Sequence, residues 1–252
     1  MRRSLIVNAD DFGQTAGVNR GIIAAHEKGI VTSASLMTHG AAVREAVDYA
    51  LSHPALGVGL HADLGEWFYR DGAWHARYQR VRLDDAGEVA RELASQLDAF
   101  ERVTGRAPTH LDSHQNVHMR EPARTCFVQA AGRLNIPLRA CAPDFHWCGD
   151  FYGQTAEGMP FPQAIRPESL VRIIETLPEG VTVLVCHPAE SADLETTYLH
   201  ERRIELSTLC DPRVRAALAS RGVALRSFGE ALRGRDGERE QVRGYWGRAS
   251  FR

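Results

Sequence analysis

The sequence contains very little lysine and no long apolar segment. Lys28 is its single lysine, although lysine and arginine together number 30 and the acidic residues number 32. The formal net charge of −2 provides no global positive field that would attract nucleic acid or an anionic membrane. No apolar run approaches the roughly 20 residues that span a bilayer. We therefore expect no nucleic-acid partner and no transmembrane segment.

Patterns typical of secretion, disulfide bonding and dinucleotide binding are also missing. The apolar segment Leu5-Ile6-Val7 follows a basic start but is too short for a signal peptide. The five cysteines are irregularly spaced and form no CxxC pair, which argues against a disulfide framework. No GxGxxG motif follows the first apolar run, so nicotinamide-dependent hydride transfer is a poor explanation. These absences predict a cytoplasmic protein.

Short apolar, strand-like runs alternate with helical patterns. The runs cover residues 5–8, 32–37, 57–61, 109–113, 138–140, 181–186 and 223–226. The helical patterns cover residues 15–28, 42–51, 85–104, 121–134, 167–177 and 213–221. This alternation indicates βαβ units and a parallel sheet, and about seven units favour a closed or nearly closed (β/α) barrel. We expect one catalytic domain over residues 1–252, in which the charged segment 234–252 is a candidate flexible tail.

Two segments, residues 65–82 and 142–163, interrupt this alternation. Both are rich in aromatic residues and follow predicted strands, on the side where α/β barrels carry their functional loops. Trp67 and its aromatic neighbours could stack on a pyranose ring, and Arg70 could bind its hydroxyls. Packing of the loop or of a subunit contact explains the aromatics equally well. A homodimer is the default expectation for a soluble protein.

Polar clusters follow four of the strand-like runs. They read "NADDFG" from Asn8, "GLHAD" from Gly59, "HLDSHQNVH" from His110 and "CHP" from Cys186. Because the carboxyl ends of parallel strands face one side of a barrel, these clusters should meet there. Aspartate and histidine are ligands for divalent transition metals. A cation would offset the repulsion within the "DD" pair, where one carboxylate could coordinate and the other act as a base.

Each cluster alone also permits a structural explanation. Asp11 could cap the following helix or form an Asx-turn, and His61 or His187 could be a hydrogen-bonded structural histidine. The third cluster is more specific, since alternation along an extended segment places His110, Asp112 and His114 on one face. Three histidines and an aspartate within nine residues favour a metal or catalytic role.

The motifs "VNADDFG", "GLH", "THLDSHQNVHM" and "CHP", in this order, resemble those of the YdjC-like carbohydrate deacetylases. This family includes the chitooligosaccharide deacetylases and the hopanoid-associated deacetylase group. The resemblance covers residues 5 to about 232. It implies a distorted parallel (β/α) barrel of about seven strands, related to the polysaccharide deacetylases. It also implies a metal-dependent hydrolase that releases acetate from an N-acetylated amino sugar, in an oligosaccharide or a glycolipid containing N-acetylglucosamine.

The resemblance further implies roles for particular residues. Asp11, His61 and His114 would hold one divalent metal ion, Asp10 would be the catalytic base, and His187 would be the late active-site histidine. Two imidazoles and one carboxylate suit Zn²⁺ by ligand type, whereas the family resemblance points to Mg²⁺.

Four neighbouring positions shape the surroundings of these residues. Asp112 or His118 would orient a metal-ligating histidine, because such histidines usually donate their second ring N–H. The chain departs from the family pattern at Ala189, where glycine is usual, and at Asn116, where histidine is frequent. Neither change removes an expected ligand, but both could change the shape of the wall of the expected substrate site.

Two alternative functions use the same features. An ester or phosphoester hydrolase could employ the scaffold, and phosphoester chemistry often uses two metal ions about 3.5–4 Å apart. Asp10, Asp112 and His118 could then hold a second ion. A non-catalytic sugar-binding protein is the other alternative, although it would not need adjacent carboxylates beside converging histidines.

Overall fold

Alternating strands and helices make up most of the computed structural model, which describes residues 3–190, 193, 194, 196 and 198–233. The strands are β1 (Arg3–Phe12), β2 (Ser33–Leu36), β3 (Gly57–Ala62), β4 (Gly65–Arg70), β5 (Ala73–Gln79), β6 (Leu111–Ser113), β7 (Phe145–Cys148), β8 (Gly180–Cys186) and β9 (Ala224–Leu225). The helices are α1 (Ala16–Glu27), α2 (Val43–Ser52), α3 (Ala86–Thr104), α4 (Ala123–Leu134), α5 (Pro167–Thr176), α6 (Leu199–Leu209), α7 (Pro212–Arg221) and α8 (Phe228–Arg233). The predicted tail, residues 234–252, lies outside the described residues.

Seven strands form one sheet in the order β6-β3-β2-β1-β8-β7, and β9 pairs with the beginning of β1. All of these pairings are parallel. Leu5, Ile6 and Val7 at the centre are fully buried, as expected for a parallel sheet covered on both faces. The predicted α/β fold with about seven parallel strands is therefore confirmed.

The sheet is a curled half-barrel. Among the described residues, no ladder joins β6 to β7, so the order of strands ends at these two edges. The predicted strand at residues 138–140 is reduced to one bridge between Leu138 and Leu111. The amide of Arg139 donates to the carbonyl of Leu111 at 3.0 Å, so this short segment lies against β6 at the open side.

The aromatic segment 65–82, in which the sequence shows no clean period, contains an antiparallel hairpin. Strands β4 and β5 pair with each other, and Tyr69 lies opposite Trp74. Asp71 and Gly72 form the turn with φ values of 51° and 79°. Two positive φ angles are the requirement of a type I′ turn, for which Asp-Gly is a preferred pair. The Asp-Gly dipeptide was therefore an available hairpin signal.

Helix α6 was not expected, because its buried face is polar. Glu201, Arg202 and Glu205 are all at most 4% exposed, so the helix lacks the apolar period that reveals most amphipathic helices. It lies beside α1 and α5 and projects charged side chains inward. Among the helices of the described residues, none is long and apolar enough to cross a membrane.

Candidate metal centre and active site

The two adjacent aspartates lie at an irregular end of β1. The register between β1 and β2 shifts between Ala9 and Phe12, and Asp11 has a φ of 69°, a conformation that aspartate tolerates better than most residues. A bulge of this kind redirects consecutive side chains, and both carboxylates are buried. The side chain of Thr15 accepts from the amide of Val18, so Thr15, and not Asp11, is the N-cap of α1.

One carboxylate and two imidazoles converge at the carboxyl ends of three strands. Asp11 lies near the end of β1, His61 lies near the end of β3, and His114 follows β6 directly. The Oδ1 atom of Asp11 lies 3.2 Å from Nε2 of His61 and 3.0 Å from Nδ1 of His114. One ligand atom from each residue lies within 4.8 Å of the others. The structure thus brings the three expected ligands together.

Asp112 fixes the orientation of the His61 ring. These residues are register partners between β3 and β6, and Nδ1 of His61 lies 2.6 Å from Oδ1 of Asp112. Ser35 donates to the other oxygen of Asp112 at 2.6 Å. A carboxylate behind a histidine directs the opposite ring nitrogen towards a metal ion. The donor set and this support fit a divalent ion, and Asp112 lies on the side of the His61 ring away from the proposed ligand atom.

Two buried arginines, neither anticipated from the sequence as a site residue, neutralise the aspartates. Arg202 of α6 donates to Oδ2 of Asp11 at 2.5 Å. Arg139 donates to both oxygens of Asp10 and, at 2.5 Å, to Oδ2 of Asp112. Both guanidinium side chains are at most 5% exposed. Because unpaired buried charges are costly, these arginines explain how three carboxylates share one interior.

The protonation states follow from this distribution of charge. Burial alone would raise the pKa of Asp11, but Arg202 and His114 hold it well below its ordinary value. For His61, burial acts to lower the pKa, and the charges of Asp10 and Asp112 outweigh it and raise the pKa to about 10. The metal-free protein therefore holds Asp11 as a carboxylate and His61 as an imidazolium.

His187 lies at the edge of this cluster, between Asp10 and α6. Its Nε2 atom is 3.7 Å from Oδ2 of Asp10, and its Nδ1 atom is 3.7 Å from Oε1 of Glu205. Glu205 also accepts from the backbone amide of His187 and, at 2.6 Å, from the hydroxyl of Tyr198. The His187 side chain remains 19% exposed, whereas Asp10 is almost inaccessible. Of these two side chains, His187 is therefore the one that solvent can reach.

Two histidines of the third cluster have structural contacts instead. His118 contacts the hydroxyl of Ser113 at 2.7 Å and the carbonyl of Arg139 at 3.2 Å, and burial lowers its pKa to about 4. It therefore supports Arg139 and does not touch His61 or His114. His110 contacts Ser35 at 3.0 Å, and burial lowers its pKa to about 4 as well.

The hairpin residues that were expected to contact substrate differ in their placement. The backbone N–H and C=O of Trp67 bond to the side-chain amide of Gln115 at 2.8 and 2.7 Å, which ties β4 to the residue after His114. Trp67 itself is partly buried against the core. Arg70 lies at the tip, where its side chain is 73% exposed and pairs with Asp71. The structure therefore brings Trp67, but not Arg70, into contact with the turn that carries His114.

Comparison with known proteins decides the family. A family model described as YdjC-like protein matches residues 4–220 of this chain. The chain belongs to the YdjC-like family. The chitooligosaccharide deacetylase of Serratia marcescens is 33% identical over 267 residues, covering 90% of this chain and 99% of that protein. The family expected from the four motifs is thus confirmed.

Solved structures confirm the fold of this YdjC-like protein. A protein of Enterococcus faecalis V583 with a suggested role in cellobiose-phosphate cleavage aligns with a TM-score of 0.72 at 25% identity, covering 91% of this chain and 98% of that one. The peptidoglycan deacetylase PdaC of Bacillus subtilis aligns with a TM-score of 0.51 at 14% identity, covering 97% of this chain and 98% of that one. The second likeness supports the expected relationship in fold to polysaccharide deacetylases.

Proposed function

We propose that this YdjC-like protein is a metal-dependent carbohydrate deacetylase that removes the N-acetyl group from an amino sugar. The observation that carries the proposal is the convergence of Asp11, His61 and His114 beside a separate carboxylate, Asp10, and a more accessible histidine, His187. The name of the Serratia relative, a chitooligosaccharide deacetylase, supports oligomers containing N-acetylglucosamine as the first substrates to test. Glycolipids that carry the same sugar form the second substrate class.

Asp11, His61 and His114 would hold one divalent ion. When bound, such an ion supplies Lewis-acid polarisation of the acetyl carbonyl and acidifies the attacking water. Two imidazoles and one carboxylate favour Zn²⁺ over Mg²⁺, which prefers more oxygen ligands. We therefore expect Zn²⁺ to restore more activity than Mg²⁺ after the protein has been stripped with a chelator.

Asp10 is the proposed general base. It is adjacent to Asp11 in the chain, but its carboxylate accepts from Arg139 and, at 3.0 Å, from the side-chain Nδ2 of Asn8, while Arg202 donates to Asp11. Because the two carboxylates have different partners, Asp11 can act as a metal ligand while Asp10 acts as a base. Asp10 would take the proton of the attacking water, a step that typically contributes 10²–10⁴-fold to a rate.

His187 is the proposed general acid for the departing amine. An amine leaves readily only after protonation, so a proton donor is required at the scissile nitrogen. The side chain of Glu205 lies behind the ring: it accepts from the backbone amide of His187, and its Oε1 atom is 3.7 Å from Nδ1 of the ring. Its exposed edge is free to face the sugar nitrogen.

The test is acetate release from N-acetylglucosamine oligomers and from a glycolipid carrying that sugar. The purified full chain should release acetate when loaded with Zn²⁺ and should stop when a chelator is added. An Asp10→Asn variant should keep the metal content of the wild type but lose about 10²–10⁴-fold in kcat. Acetate release by Asp10→Asn at the wild-type rate would rule out the base assignment. No release from the whole panel by metal-loaded wild type would rule out the proposed function.

A phosphoester hydrolase is the second candidate, since Asp10, His61 and Asp112 form a second group of potential metal ligands and phosphoester chemistry often uses two metal ions. The arrangement favours it less, because Arg139 occupies the pair of carboxylates that a second metal ion would use. Adding a phosphorylated disaccharide to the same substrate panel separates the two candidates. Release of inorganic phosphate without acetate would favour the second.

A further inference from the structure

A second group of potential metal ligands lies directly behind the first. Asp10, His61 and Asp112 each offer one ligand atom, and these atoms lie within 4.8 Å of one another. Asp10 and Asp112 are at most 3% exposed. Two buried carboxylates this close repel each other unless a cation lies between them.

The guanidinium of Arg139 lies between these two carboxylates. Its Nη1 atom donates to Oδ2 of Asp10 at 2.5 Å, and its Nη2 atom donates to Oδ2 of Asp112 at 2.5 Å and also to Oδ1 of Asp10. One planar cation thus bridges both acids through charge-assisted hydrogen bonds, the strong class of such bonds.

The rest of the protein holds this guanidinium in place. The backbone amide of Arg139 donates to Leu111 at 3.0 Å, and its carbonyl lies 3.2 Å from Nε2 of His118. The guanidinium carbon is 5.2 Å from the centre of the Trp147 ring, a cation–π distance. The Arg139 side chain is only 3% exposed. The residue is therefore held both through its backbone and through its guanidinium.

We propose that Arg139 is a built-in cation that takes the place of a second metal ion and keeps this centre mononuclear. The inference rests on the proposed function for the first ion, held by Asp11, His61 and His114. A divalent ion placed between Asp10 and Asp112 would meet the guanidinium at contact distance, and two cations in a dry interior repel strongly. Removing the positive charge leaves two facing carboxylates, a ligand pair that suits a hard divalent ion such as Mn²⁺.

The experiment counts Mn²⁺ ions bound to the full chain. Wild type is expected to bind one Mn²⁺ per chain at saturation, and Arg139→Met, which keeps the length but removes the charge, is expected to bind two. Equilibrium dialysis with elemental analysis gives the stoichiometry. Electron paramagnetic resonance gives a second readout, because two Mn²⁺ ions about 3.5–4 Å apart couple magnetically and lose the six-line signal of an isolated ion.

Two variants serve as matched controls. Arg139→Lys keeps the positive charge and should remain at one Mn²⁺ per chain. Arg202→Met also removes a buried arginine from a site carboxylate, but Arg202 bonds to Asp11 and not to the Asp10–Asp112 pair, so it should not gain a second ion. A single uncoupled Mn²⁺ in folded Arg139→Met would overturn the proposal, as would a second ion in Arg202→Met.

Folding of the variant and the proposed function are tested separately. If Arg139→Met unfolds without metal, Mn²⁺ should restore its folded circular dichroism spectrum with two ions bound per chain. If no Mn²⁺ concentration restores that spectrum, the result counts against the proposal. If wild type binds one ion but releases no acetate, the proposed function is wrong and the proposed role of Arg139 still holds. If wild type binds no ion, both the proposed function and the proposed role of Arg139 are wrong.

Discussion

The neighbouring carboxylates of Asp10 and Asp11 coexist because each has its own arginine. Arg139 pairs with Asp10 and Arg202 pairs with Asp11, and the shifted register at the end of β1 separates their directions. A turn, a helix cap and a cation were all possible reasons for the pair. Thr15 provides the cap. The chain does turn at Asp11, whose φ is 69° and whose carbonyl accepts from the amide of Gln14 at 3.0 Å, so the turn, the charge pairing and the candidate metal centre remain as the physical reasons.

Metal binding should release a proton from His61. Its pKa is raised to about 10 in the metal-free protein, whereas a metal ligand must be a neutral imidazole. Between pH 7 and 9, binding of one Zn²⁺ should therefore release about one proton from this residue, and metal affinity should rise about tenfold per pH unit. Calorimetry in buffers of different ionisation enthalpy measures the released proton.

The same pKa shift predicts how the metal-free protein responds to pH. A raised pKa means that the folded state binds the proton more tightly, so the contribution of His61 to stability is complete below about pH 6.5 and is lost as pH rises through about 10. His110, with its pKa lowered to about 4, is neutral throughout this window. His110→Gln should therefore leave proton release unchanged. If wild type released no proton on binding Zn²⁺, the assignment of the proton to His61 would be wrong.

At the scale of elements, the site depends on how closely β3 and β6 approach. Leu60 donates to the carbonyl of His110 at 3.1 Å, and His61 then lies opposite Asp112. A Cβ atom on Gly59 would be only 2.5 Å from the carbonyl oxygen and from Nδ1 of His110. Glycine at this position is thus a requirement of strand packing beside the site.

Gly59→Ala should destabilise the fold, whereas Gly149→Ala should not. The first substitution places a methyl group against backbone, and overpacking of this kind costs about 1–3 kcal/mol. The second meets no atom within 4 Å and should change the free energy of unfolding by less than about 0.5 kcal/mol. Urea denaturation of both variants measures the difference, and equal stabilities would show that β3 and β6 can separate without cost.

At the scale of the whole molecule, the proposed ligands connect one half of the sheet. Asp11, His61 and His114 come from β1, β3 and the end of β6, which span the order β6-β3-β2-β1. An ion bound by all three would link strands that are far apart in sequence. It would bind the folded state only, since the unfolded chain does not bring these residues together.

Zn²⁺ should therefore raise the melting temperature. At a free concentration one hundred times its Kd, a ligand adds about 2.7 kcal/mol. For a domain of 150–250 residues, that increment corresponds to a rise of about 5–11 °C. Differential scanning calorimetry measures the rise, which His114→Ala should abolish, and a similar rise in His114→Ala would place the ion elsewhere.

Much of the fold and the convergence of the proposed ligands could be predicted from the sequence. Apolar runs alternating with helical patterns require a parallel sheet, and polar clusters that follow parallel strands must lie along one edge. Asp11, His61 and His114 therefore met as expected, although long stretches of chain separate them. The hairpin at residues 65–79 was missed even though its Asp-Gly turn was visible.

Only the tertiary structure decided which charges pair. Arg139 lies 129 residues from Asp10, and Arg202 lies 191 residues from Asp11. Nothing local in the sequence distinguishes these two arginines from the many exposed ones, because an ion pair is set by burial and proximity and leaves no periodic pattern. The sequence by itself determined which side chains could hold a metal ion, and the packing of α6 and of the segment beside β6 determined which arginine pairs with which carboxylate.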